Sequence, residues 1–159
     1  MIAHLALATT LALNYTALMN QTGMPNAVGQ TPAQLQAAAP ASPPTVESQM
    51  LPVEQKIIER TNVERTRHGL RKLLPDLGLL HSARRHASWM TRNRRLQHTN
   101  APVGENIAMG QHDSAHAVQS WMNSSGHRAN MLNARYTRVG AAAYTATDGR
   151  IYWCIQFQP

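Results

Sequence analysis

From residue 53 onward the apolar positions fall into short periodic runs separated by Gly, Pro, Asn and Asp. Val53 to His68 reads as a first helix, with Pro52 at its entry and Glu54 as the acid of its first turn. Gly69 stops it at the position that favours a left-handed residue. Pro75-Asp76 opens a second helix, predicted to run to about Leu96. Along it Leu79, Ala83, His86 and Met90 recur at spacings of four, three and four, one apolar stripe that includes a histidine. Arg84, Arg85, Arg92, Arg94 and Arg95 occupy mostly the other face. Asp113 or Ser114 caps a third helix through about Asn123, with Ala117, Val118, Trp121 and Met122 inward, and a short helix is expected after His127.

The last stretch changes period. Tyr136 to Thr147 and Arg150 to Phe157 read as two strands of a hairpin joined by a two-residue Asp148-Gly149 turn. Ile151, Trp153, Ile155 and Phe157 share one face, Tyr152 and Cys154 the other. Neither face is plainly polar, so the sheet is expected to be covered on both sides. Helices followed by a terminal hairpin predict an α+β fold.

The 159 residues suit one domain of ordinary size, and charge divides them. Residues 1–50 hold no Lys or Arg and a single acid, Glu47, so the remainder carries all 15 basic residues against seven acids. The first 50 residues, rich in Ala, Pro, Gln, Thr and Asn, are expected to form a disordered leader before a folded domain at 51–159. Met1 to Leu13 has the apolarity of a signal-peptide core without its basic flank, so either the true start lies upstream or the run is no signal. It is too short to span a bilayer. The five helix arginines invite a nucleic-acid reading, but no helix-turn-helix or zinc-finger spacing accompanies them, and no interleaved aromatics. A solvated face remains, with a loose attraction to anionic glycans or a membrane surface. Cys154 is the only cysteine, which excludes an internal disulfide, and its apolar strand makes it a buried inert thiol.

Candidate chemistry concentrates between Gln97 and Leu132. His98, Glu105 and His127 are ionisable groups set in Gly/Asn/Ser-rich turns, Glu105 in a loop after Gly104. Two imidazoles and a carboxylate suit a divalent metal or a proton-transfer site. His86, within the apolar stripe, is read as a satisfied packing residue. His112-Asp113-Ser114-Ala115-His116 imitates the H-E-x-x-H zinc motif, but a cap at Asp113 would leave His112 off the helix and the geometry would fail. There is no G-x-S-x-G nucleophile elbow.

Four stretches, Gln97-His98-Thr99, Gly104-Glu105-Asn106-Ile107-Ala108, Trp121 to Leu132 and Arg138-Val139-Gly140, resemble in order the motifs of the CAP superfamily. That superfamily comprises cysteine-rich secretory, antigen 5 and pathogenesis-related proteins, and this chain is similar to its bacterial SCP-like branch over residues 54–157. Thr61 to Arg65 and Gly69-Leu70 also resemble the opening helix of bacterial members. The resemblance implies a three-layer α-β-α sandwich with a central antiparallel sheet, an extracytoplasmic location, and a cleft lined by two histidines and two acids. The first histidine falls on His98, the first acid on Glu105 and the second histidine on His127; the second acid falls on Ser124, so a reaction needing two carboxylates is not expected. Asn106, Gly126 and Asn130 match motif positions and are assigned turn and capping roles. His98, His127 and Glu105 form the expected metal set, zinc before other ions, with a plain hydrogen-bond network as the other reading. The expected function is a secreted, monomeric domain that binds a divalent metal or a small, lipid-like ligand in this cleft, with no catalytic reaction assigned to it. Two alternatives stand beside it: a hydrolase using zinc-bound water with Glu105 as base, and an adhesion module holding anionic polymer on its arginine face.

Overall fold

A computed structural model describes residues 44–159. The signal-like run and most of the expected leader lie outside the described residues. A single 3-10 turn at Glu47–Gln49 leads into helix α1 (Pro52–Arg67), followed by strand β1 (Leu74–Pro75) and helix α2 (Leu77–Asn93). Strand β2 (Gly104–Met109), helices α3 (Ser114–Met122) and α4 (Ser125–Met131), and strands β3 (Arg138–Thr145) and β4 (Ile151–Gln158) complete the domain. The sheet runs β1-β3-β4-β2 and is antiparallel except for the two-residue β1, which lies parallel to β3.

Strand alternation sends successive residues of β4 to opposite faces, and both faces are covered. Trp153, Ile155 and Phe157 pack with Ile57 and Ile58 of α1, Val118 and Trp121 of α3, and Met131 of α4. Tyr152 and Cys154 pack with Ala83, Ala87 and Met90 of α2. The result is the three-layer sandwich, with α1, α3 and α4 on one side and α2 on the other. The small residues of β3 let α2 lie close to the sheet. At Gly140 an added Cβ would collide with the α2 backbone at Leu79 and Leu80, which accounts for a glycine in an otherwise ordinary strand.

Two side chains of α1 fasten irregular segments that no ladder holds. Asn62 donates from Nδ2 to the Leu73 carbonyl at 3.0 Å and accepts the Leu73 N–H at 2.8 Å, so its amide stands in for a strand partner. Arg65, 1% exposed, donates to the carbonyls of Arg71, Met131, Asn133 and Tyr136 at 2.8–3.3 Å. Glu54 does more than face the helix dipole. It is buried, accepts the Leu51 N–H at 2.7 Å and is gripped by Nε and Nη2 of Arg84 at 2.7 and 2.6 Å.

Several boundaries differ from the sequence pattern. Helix α2 stops at Asn93 because Arg94 turns left-handed at φ 51° and donates its N–H to the Met90 and Thr91 carbonyls. No glycine marks that turn, so the periodicity overshoots by three residues. The hairpin loop has three residues: Ala146 N–H bonds the Arg150 carbonyl at 2.8 Å and Gly149 takes the left-handed position at φ 82°. Glu105, expected in a loop after Gly104, lies in a full strand of the sheet, Gly104–Met109.

Gly140→Ala should destabilise the domain by about 1–3 kcal/mol through overpacking. Gly126→Ala, with no atom within 4 Å of the new Cβ and a helical backbone, should be neutral or slightly stabilising. Urea denaturation of both variants checks this, and equal stabilities would contradict the close approach of α2 to β3. Cys154 is fully buried, and burial followed by the nearby Glu105 charge pushes its thiol well above the ordinary range. It should resist a thiol reagent in the native protein and react after unfolding; rapid native labelling would mean that α2 does not cover the sheet.

Candidate functional site

A cleft of about 820 Å³ opens where the loop after α2, the start of β2 and the start of α4 meet. His98, Glu105, Ser124, His127 and Asn130 line it together with Tyr136. Four of the expected site residues thus converge from elements far apart in sequence, and the reason lies in β2.

Glu105 is a strand residue rather than a loop residue, paired with Gln156 of β4, and its side chain is 4% exposed. Oε1 accepts from His98 Nδ1 at 2.9 Å and from the Thr99 N–H at 3.0 Å. Oε2 accepts from Gln156 Nε2 at 2.8 Å and from the Cys154 thiol at 3.6 Å, and His86 Nε2 stands 3.7 Å away. An ionised carboxylate only accepts, so His98 carries a proton on Nδ1 and, in its neutral form, presents a lone pair on Nε2. His98 is 58% exposed at its side chain; what holds the ring is Glu105, not packing.

Asn106, the next residue, points to the opposite face of β2. It is fully buried, donates from Nδ2 to the His127 carbonyl at 2.9 Å, and accepts from Asn130 Nδ2 at 3.0 Å. Asn130 also donates to the Glu105 carbonyl at 3.1 Å. Neither asparagine performs the turn or capping role expected from sequence. Together they clamp α4 to β2 and so place His127, which lies inside α4 rather than just before it. The His98 and His127 ring centroids are 6.5 Å apart and tilted by 48°, so the two imidazoles stand side by side in the cleft. Burial, and then the neighbouring His98, hold the His127 imidazole below its ordinary pKa. Ser124 occupies the N-cap position of α4 and lines the cleft without using its hydroxyl as a cap.

His86, expected as a satisfied packing residue, has an 11% exposed side chain with a hydrogen-bond partner, and its position adds a further task. It flanks the apolar stripe, bonds the Gln97 carbonyl through Nε2 at 2.8 Å and approaches Glu105, so it braces the segment that carries His98. Gln156 was not singled out by sequence reasoning; its one signal is a polar amide inside the apolar run Ile151 to Phe157. Asp113 caps α3 by accepting the His116 N–H at 2.8 Å, which leaves His112 outside the helix, as the motif argument requires. The His112 and His116 rings meet Nδ1 to Nδ1 at 3.0 Å on the surface, away from the cleft. Among the described residues, no three His, Cys, Asp or Glu side chains are grouped as a ready metal cage.

The family described as the cysteine-rich secretory protein family (CAP) matches residues 58–157, well over half of the chain. The uncharacterised protein YkwD of Bacillus subtilis is 36% identical over 104 residues, covering 55% of this chain and 40% of that protein. The chain thus spans two fifths of that curated relative. An extracellular SCP-domain protein of Bacillus anthracis is 27% identical with a TM-score of 0.57, covering 74% of this chain and 45% of its own. NaASP2, whose crystal structure was determined with Zn2+, shares the fold at 15% identity and a TM-score of 0.54, covering 67% and 79%. With His98-Thr99, Gly104-Glu105 and Gly126-His127 all lining one cleft and the family match spanning residues 58–157, the chain belongs to the cysteine-rich secretory protein, or CAP, family.

Proposed function

We propose that this is an extracytoplasmic CAP domain whose cleft binds a divalent metal, zinc foremost, through His98 and His127. The observation that carries the reading is the Glu105–His98 bond: a carboxylate on one imidazole nitrogen is how metal-binding histidines are oriented and made more basic. Glu105 then acts behind the ligand rather than as one, because both its oxygens already accept hydrogen bonds. Two imidazoles and an absent second acid supply two protein ligands, which suits an ion completed by water or by a ligand's own oxygen atoms. When bound, the ion would supply a Lewis-acidic centre for an anionic or carbonyl group entering the cleft. Pro102, Val103 and Tyr136 give the same cleft an apolar wall suited to a small ligand with a hydrophobic part. The alternative of a hydrolase with Glu105 as base is less well supported, since a base needs a lone pair directed at the substrate and these oxygens are engaged with protein donors. An extracellular setting follows the description of the Bacillus anthracis relative, and no described helix is long and apolar enough to cross a membrane.

Calorimetric titration with zinc tests this reading. His98→Ala and His127→Ala should each abolish most of the affinity. Glu105→Gln should weaken binding by roughly 10–100-fold, as loss of an orienting partner does. Ser124→Glu should tighten it by returning a carboxylate to the cleft. The pH dependence has a definite sign: protons compete for the imidazoles, so affinity falls on acidification from about pH 7.5 to about pH 5.5, across the ordinary imidazole pKa. Because the His127 pKa is lowered, its share of the loss comes at lower pH than for a free imidazole. Absence of saturable zinc binding at neutral pH would leave the Glu105 network as a purely structural device.

A further inference from the structure

A second groove, of about 690 Å³, shares Thr99 and Ala101 with the histidine cleft and runs along α2 to Tyr144 of β3. Its charges come from the arginines of α2, which the structure separates into different tasks. Arg84 is committed to Glu54 and to the Gln49 carbonyl. Arg94 forms the left-handed cap and reaches the Thr147 hydroxyl at 3.0 Å. Arg85 and Arg92 both line the groove, and neither has a hydrogen bond or ion pair with another described residue. They lie two helical turns apart, about 10.5 Å along the axis.

Between them is an aromatic ring, although the sequence pattern suggested no aromatic interleaved with the charge. Trp89 lines the groove and is stacked on His86 at a centroid distance of 5.9 Å and an interplanar angle of 7°. His86 in turn is tied to Gln97, so the indole is a braced platform. Ser82, Ser88 and Thr99 add hydroxyl groups along the same walls.

We propose that this groove binds an acidic oligosaccharide, with a sugar ring on Trp89 and anionic groups on either side held by Arg85 and Arg92. The shared chemistry is a carboxylate or sulfate on successive sugars, the partner that guanidinium groups recognise through paired N–H donors. Arginines two turns apart suit two anionic groups on one chain-like ligand rather than a single small anion. The hydroxyl-rich walls suit sugar hydroxyls. A single-stranded nucleic acid is less well matched, because such strands are held by several successive stacking platforms, and here one tryptophan and one wall tyrosine are available. The proposal goes beyond the metal reading and stands apart from it: the zinc titration reads His98 and His127, whereas this site is read by Arg85, Trp89 and Arg92.

Tryptophan fluorescence provides the experiment. Trp121 and Trp153 are 1% and 2% exposed, so Trp89 is the indole that a ligand can reach. The full chain is titrated with tetragalacturonate, a heparin tetrasaccharide, neutral maltotetraose and oligothymidylate. Saturable quenching is expected with at least one acidic oligosaccharide, the carboxylate and sulfate arms showing which anion is preferred, and none with maltotetraose. Arg85→Ser with Arg92→Ser should lower that affinity by tenfold or more, about the effect of losing one charge-assisted bond, and leave zinc affinity unchanged. Trp89→Phe, read by calorimetry, should keep most of the binding, while Trp89→Ala should lose it. Equal binding of maltotetraose, tighter binding of oligothymidylate, or an unchanged affinity in the double arginine variant would overturn the assignment.

Discussion

A carboxylate buried beneath a sheet end has to be surrounded by donors, and satisfying Glu105 organises the site. Desolvating an ionised acid without partners is prohibitive. Here the partners come from β4 (Gln156 and Cys154), from the loop after α2 (His98 and Thr99), with His86 of α2 close by. Each donor is thereby positioned relative to the others. The loop lies over the sheet because its backbone N–H at Thr99 and its histidine both reach the same oxygen. An apolar residue at 105 would fill the space and leave the loop held only through the His86–Gln97 bond.

The two histidines are set by consecutive residues of one strand. Glu105 points toward α2 and orients the His98 ring; Asn106 points toward α4 and holds the His127 backbone. Side-chain alternation in a strand therefore divides the work across the two faces of the sheet, and the cleft forms at the end where both can be reached. This arrangement also explains why His98 can remain exposed without losing its orientation. The half-buried His127, by contrast, is placed by the clamp on its helix.

Much of this was legible in advance. The helices, the terminal hairpin and the coverage of both sheet faces follow from periodicity because they are built from apolar burial, and the motif words located His98, Glu105 and His127. What periodicity missed is where polar groups are buried. Glu105 and Asn106 made the start of β2 read as a loop, since polar residues in a short run look solvated until their partners are known. Gln156 escapes the pattern for the same reason, and the partners of His86 are hidden too: each role depends on a neighbour many residues away. The end of α2 was misplaced because an arginine, not a glycine, takes the left-handed turn. The arginine face was treated as one surface, whereas tertiary contacts give Arg84 and Arg94 partners and leave Arg85 and Arg92 to the groove.

Arg65 bears on how the His127 wall comes into being. A seven-residue helix has little stability of its own, and α4 ends in carbonyls that would otherwise face the protein interior. The guanidinium of α1 accepts responsibility for two of the carbonyls at that end, those of Met131 and Asn133, across more than sixty residues of chain. No carboxylate among the described residues shares the charge, so the cation is compensated by backbone dipoles alone. A helix secured in this way cannot melt locally without taking from a buried cation two of its four carbonyl acceptors. One wall of the cleft is therefore tied to the core of the domain, whereas the wall that carries His98 is exposed and held by polar contacts with Glu105 and His86.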